Sequence, residues 1–82
     1  MKLKPPGKHV LDRIKKWRLE KKWEKAVFLI LSNPKHPSLN VELMEPKHRG
    51  IYSFRLDRKY RALYFMDGDN IEIFQITKHY KK

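Results

Sequence analysis

The stretch "YSFRLDRKYRALYF", residues 52–65, alternates apolar and polar side chains around a short charged centre and predicts two antiparallel strands joined by a tight turn. If Leu56 and Tyr60 face each other across the loop Asp57-Arg58-Lys59, the next pair outward is Arg55 opposite Arg61. Like charges placed directly opposite weaken a hairpin. The pair therefore needs either solvent to screen it or an anion between its members. A planar guanidinium fork grips phosphate oxygens bidentately. At an effective dielectric of about 20, one cation beside one phosphate charge at ~4 Å gains on the order of 4 kcal/mol before desolvation, more than the repulsion costs. Charge clusters also often merely face water, and the spacing by itself leaves both readings open.

Working outward, the period-2 pattern continues through "NVELME", "IYSFRL", "YRALYFM" and "NIEIFQITKHY", residues 40–80. "DGDN", residues 67–70, reads as a hairpin turn with Gly68-Asp69 at its centre. That register pairs Met66 with Ile71, Tyr64 with Ile73 and Arg61 with Ile76, making the last three strands an antiparallel meander. One face then carries Ile51, Ser53, Arg55, Arg61, Leu63, Phe65 and Phe74, apolar toward "DGDN" and cationic toward "DRK". Tyr52, Phe54, Leu56, Tyr60, Ala62 and Tyr64 lie on the other. Strict alternation to the end of the chain places Tyr80, not His79, on the face of Arg61.

Before the strands, His9 to Ser32 lacks breakers and reads as helical. Val10, Ile14 and Trp17 form one apolar stripe, and Leu19, Trp23, Ala26, Val27 and Ile30 a second. Six residues from Trp17 to Trp23 turn a helix by about 600°, so the stripes are roughly 120° out of phase and cannot both be buried by one straight helix. Two helices broken near Arg18 to Lys22 are expected. "SNPKHP", residues 32–37, ends the second. Met1 to Lys4, before two prolines, leaves room for a short first strand at most. The fold class is α+β, an N-terminal helical hairpin on a small antiparallel sheet, in a single domain spanning residues 1–82.

Twenty Lys and Arg against nine Asp and Glu give a net charge of +11, spread along the whole chain. Such a field favours polyanionic partners, nucleic acid or an acidic protein. With no cysteine, neither a disulfide framework nor a thiolate metal site is available. The longest apolar run, "AVFLIL" at residues 26–31, is far short of the roughly 20 residues of a membrane span. "MKLKPPGKHV" has no apolar signal core, so a cytoplasmic location is expected. His9, His36, His48 and His79 show no metal-ligand spacing to one another. His79, followed by Tyr80 just past the last strand, would set a titratable acid beside a stacking ring; on spacing alone it serves equally as a solvated histidine of a basic tail. Glu42, in a strand before the meander, is a candidate base among glutamates that are mostly just solvated.

From Asn33 to Tyr80 the sequence resembles the RelE/ParE superfamily of bacterial toxin–antitoxin toxins, nearest its YoeB and RelE ribonuclease branch. The resembling residues are "NPKHPSL", Gly50 before "IYSFRL", "YRALYF" and the terminal "KHY". The family's G-(aromatic)-S-x-R-(I/L) and x-R-L-V-Y pattern falls on Gly50, Tyr52, Ser53, Arg55, Leu56, Arg61, Leu63 and Tyr64. The resemblance implies a ribosome-dependent messenger-RNA endonuclease that uses neither metal nor other cofactor and is held by a cognate acidic antitoxin. Its implied catalytic set is Glu42 as base, Arg55 and Arg61 on the phosphorane, His79 as acid and Tyr80 stacking on or orienting the substrate. Arg58, Lys59, Lys47, Arg49, Lys78, Lys81 and Lys82 are expected to contact messenger RNA or ribosome. Two other readings compete: a ParE-like toxin that binds a protein such as gyrase without cleaving RNA, and a non-catalytic RNA-binding module.

Overall fold

Along residues 1–78, which the computed structural model describes, the chain runs β1 (Lys2–Leu3), α1 (Lys8–Lys16), α2 (Glu20–Ser32), β2 (Glu42–Leu43), β3 (Tyr52–Arg55), β4 (Tyr60–Asp67) and β5 (Asn70–Lys78). Short 3₁₀ turns at Pro37–Leu39 and Lys47–Arg49 bracket β2. The strands form one sheet in the order β1-β5-β4-β3-β2. Neighbours from β2 to β5 are antiparallel, while β1 adds to β5 in parallel, so the sheet is mixed. The first strand is thus present but two residues long. Lys4 fastens it by pairing with both Asp67 and Glu72.

The alternating pattern buries one sheet face against both helices. Phe54, Ala62, Ile71 and Ile76 are 0% exposed, and they pack with Val10, Ile14, Leu19, Ala26, Ile30 and Leu39. The two helical stripes converge on this core because the chain reverses direction between them. Arg18 adopts φ 54°; its N–H donates to the Lys15 carbonyl, and the Leu19 N–H donates to the Ile14 carbonyl at 2.8 Å. This is the paired terminal bonding of a Schellman cap, with Ile14 and Leu19 as its buried hydrophobic contact. A glycine ordinarily fills the left-handed position; here an arginine does, and the break lies at residues 17–19.

The hairpin of residues 52–65 forms in the expected register, with Tyr52 opposite Tyr64, Ser53 opposite Leu63, Phe54 opposite Ala62 and Arg55 opposite Arg61. The "DGDN" turn also forms, with Asp67 opposite Asn70, Met66 opposite Ile71 and Tyr64 opposite Ile73. Gly68, at φ 61°, supplies the left-handed conformation at its first central position. Beyond Tyr64 the register shifts: Leu63 pairs with Gln75, Ala62 with Ile76, and Arg61 with Thr77 rather than with Ile76. A β-bulge at Phe74 accounts for the difference, because one extra residue in β5 reverses which side chains face the core from there on. Ile76 is accordingly buried under the helices.

Because a non-glycine residue in the left-handed region costs roughly 1–2 kcal/mol, part of which glycine's greater chain entropy returns, Arg18→Gly is expected to raise stability by up to about 1 kcal/mol. Denaturant unfolding of the two proteins measures this; an Arg18→Gly variant no more stable than its parent would show that the Arg18 conformation carries no strain.

Candidate active site

The register sets the site before any side-chain contact is considered. Directly opposed residues of antiparallel strands share a face. Glu42 is opposite Ser53, Ser53 opposite Leu63, and Arg55 opposite Arg61. Glu42, Ser53, Arg55 and Arg61 therefore stand together on the face turned away from the helices, and Thr77 joins them opposite Arg61.

Arg61 is the fixed member of the pair. It is only 6% exposed. Its Nε donates to Ser53 Oγ at 2.9 Å, and its Nη2 donates to the Asn40 carbonyl at 2.6 Å and, more weakly, to the Ser53 carbonyl at 3.4 Å. Every one of these acceptors is neutral. Among the described residues Arg61 makes no ion pair, and its hydrogen bonds leave from Nε and Nη2 only. Burial pushes the guanidinium down from its usual value, the Glu42 carboxylate opposes that shift, and Arg55 adds to it; arginine nonetheless remains charged. Both Glu42 and Arg55 thus act on Arg61 through space while remaining solvent-exposed themselves. A buried cation with oriented neutral partners and no carboxylate of its own is poised for an anion from outside.

Asn40 supplies its carbonyl because φ 43° closes the 3₁₀ turn before it and redirects the chain into β2. Asparagine tolerates that conformation well. Asp57 organises the other side of the pair. Its Oδ1 accepts from the Lys59 and Tyr60 N–H groups at 2.8 and 2.9 Å, its Oδ2 accepts from Lys22 Nζ of α2 at 2.7 Å, and its carbonyl accepts from Arg55 Nε at 3.3 Å. Burial by itself would raise the Asp57 carboxyl, but the Lys22 ammonium and the two N–H donors together hold it below its ordinary 3.8. Neither Asn40 nor Asp57 is among the site residues expected from sequence. An aspartate opening a turn of this length is a recognisable signal; a backbone carbonyl has none.

The remaining candidates scatter. Arg58 and Lys59 are exposed at the β3–β4 turn, and Lys47 and Arg49 at the 3₁₀ turn beyond the opposite end of β3. Lys78 lies opposite Tyr60, and its ammonium sits 5.5 Å from the centroid of the Trp17 ring, which itself stacks on Tyr60 at 4.8 Å. It therefore belongs to the helix side of the sheet, away from Arg61. His79, Tyr80, Lys81 and Lys82 lie outside the described residues. Among those described, no three His, Cys, Asp or Glu side chains gather as a metal would require, and no helix is long and apolar enough to cross a membrane.

No protein-family model matches the chain, and no curated protein matches its sequence. Solved structures do. A YoeB/ParE toxin from Agrobacterium tumefaciens aligns over 98% of this chain and 100% of its own, with TM-score 0.74 and 21% identity. A copper-bound mutant toxin from Helicobacter pylori aligns over 96% and 94%, with TM-score 0.75 and 13% identity. YafQ from Escherichia coli aligns over 94% and 89%, with TM-score 0.71 and 9% identity. The fold is that of the RelE/ParE toxins. The α+β class and the helical hairpin on a small sheet are as the sequence predicts, with β1 making the sheet mixed where an antiparallel one was expected.

Two measurements probe these supports. Ser53→Ala removes the acceptor of a buried guanidinium and is expected to cost on the order of 1–3 kcal/mol in unfolding free energy; a loss within error would mean that Ser53 does not hold Arg61. Since the folded Asp57 carboxyl titrates below its unfolded value, its contribution is fully present above that value of 3.8 and is lost as pH falls through the folded one. Asp57→Asn should therefore lose less stability than wild type on acidification below about pH 4; identical acid profiles would contradict this role.

Proposed function

We propose that the chain is the toxin of a bacterial toxin–antitoxin system and cleaves messenger RNA on the ribosome by metal-independent acid–base chemistry. The observation that carries the reading is Arg61, buried among neutral acceptors, opposite an exposed Arg55 and on one face with Glu42. A scissile phosphate lying on this face would receive the unengaged side of the Arg61 fork and the mobile-stemmed Arg55 together. Glu42 takes the proton of the 2′-hydroxyl, whose oxygen attacks phosphorus. The bond from phosphorus to the 5′-oxygen breaks, and His79 protonates that oxygen as it leaves. Arg55 and Arg61 stabilise the added charge of the phosphorane. Thr77, two residues before His79, lies opposite Arg61, which supports assigning the acid to the arginine face; Tyr80 stacks on or orients the substrate. The products are a 2′,3′-cyclic phosphate and a 5′-hydroxyl.

Lys47, Arg49, Arg58, Lys59, Lys78, Lys81 and Lys82 contribute the general field that holds ribosome and message. An acidic antitoxin segment is the natural inhibitor of a chain carrying +11. Both partners place the protein in the cytoplasm.

Incubation with programmed ribosomes tests the reading. Cleavage should persist in excess chelator and leave 5′-hydroxyl ends; 5′-phosphate ends or dependence on Mg²⁺ would mean water attack and refute the mechanism. Glu42→Ala and His79→Ala should each bind ribosomes like wild type and cleave about 10²- to 10⁴-fold more slowly. Wild-type rates in both would remove the acid–base assignment, and binding without any cleavage by the wild type would favour a ParE-like or purely RNA-binding protein.

A further inference from the structure

A second feature lies at the far end of the hairpin from the arginines, with Phe65 and Phe74 on the open face and Tyr52 and Met66 on the other by register. Arg49, Ile51, Tyr52, Phe65, Met66 and Phe74 line an open recess of about 720 Å³. Phe65 stands on the Arg61 face by register, two pairs further along β4. Phe74, next after the core-facing Ile73, is on the same face, and the two rings meet at 5.8 Å with their planes tilted by 43°. Both are only partly buried. Exposed aromatic surface of this kind is costly to leave in water unless something covers it.

We infer that this recess is a nucleobase subsite, which seats by stacking an unpaired base of the same RNA whose phosphate lies at Arg55 and Arg61. The inference rests on the ribonuclease reading above and adds a second point of substrate contact. Four residues of extended strand separate Arg61 from Phe65, about 13 Å, a span that a nucleotide near the scissile one bridges along the open face. Single-stranded RNA is held by aromatic platforms beside cations, and the recess provides both, with the Arg49 guanidinium at its wall. An acidic peptide fits less well, because Asp67 and Glu72 stand at this end of the sheet and Glu72 is directly opposite Phe65, although Lys4 pairs with both. A stacked base can sit with its phosphates toward Arg49 and clear of those carboxylates. Of the lining side chains only those of Arg49 and Tyr52 carry polar groups, and the Tyr52 ring stacks on Tyr64 of the helix-facing side. The subsite should therefore accept all four bases with little discrimination.

The test uses the full chain and a short single-stranded RNA, 2′-O-methylated throughout so that it cannot be cleaved, with 2-aminopurine placed at each position in turn. Binding should quench the fluorophore at one position. Phe74→Leu should restore its emission and weaken binding about fivefold to a hundredfold. An abasic nucleotide at that position should cost as much in the wild type and nothing further in Phe74→Leu. Phe74→Tyr, which keeps the ring, should behave as wild type and so separates loss of stacking from misfolding. Additive losses, absence of quenching, or unchanged RNA affinity in Phe74→Leu would overturn the inference. So would unchanged RNA affinity together with lost binding of a peptide alternating glutamate and leucine, which would assign the recess to a protein partner. Quenching without cleavage on ribosomes would retain the subsite and reject the nuclease reading; cleavage without quenching would do the reverse.

Discussion

One hydrogen-bonded cation organises the open face of this protein. Arg61 is buried on the side of the sheet that no helix covers, and it is tied to Ser53 on the neighbouring strand and to the Asn40 carbonyl at the entrance to β2. Burying a guanidinium is expensive unless its donors are satisfied, and pairing it with a carboxylate would be the ordinary solution. Neutral acceptors fix the geometry without cancelling the charge. The surrounding elements follow from that choice: β3 must present Ser53, the 3₁₀ turn must end in a left-handed residue, and β2 must run alongside so that Glu42 lies opposite Ser53.

Arg55 is held differently. It is exposed, and its one hydrogen bond among the described residues goes to the Asp57 carbonyl, in a turn whose side-chain cap is in turn anchored to Lys22 of α2. One arginine is therefore rigid and the other adjustable. A rigid donor contributes preorganisation, which is worth most where charge develops, whereas a mobile one can follow a phosphate through changes of geometry. Burial disfavours the charged Arg61 guanidinium, the Glu42 carboxylate opposes that, and Arg55 adds to it to a smaller extent.

Much of this was legible in the sequence, for identifiable reasons. Turn chemistry fixes register: the three-residue loop after Leu56 and the "DGDN" turn set the pairing of Arg55 with Arg61 and of Met66 with Ile71. A phase change of apolar positions exposed the helix break. The bulge escaped because strict alternation was assumed through "NIEIFQITKHY", although the core isoleucines 71, 73 and 76 already depart from a period of two. That single inserted residue decides what lies opposite Arg61. The parallel pairing of β1 escaped because two residues carry no period at all. Asn40 escaped because a backbone carbonyl is available at every position and only the three-dimensional path selects one.

The proposed function requires Arg55 and Arg61, neither of which makes an ion pair among the described residues, to take a phosphate between them. Side-chain ¹⁵N NMR of both arginines during titration with an uncleavable RNA tests it most directly. The account predicts that the Arg61 and Arg55 guanidinium signals shift together and saturate at the same RNA concentration. Saturable RNA binding that leaves both signals in place would contradict it.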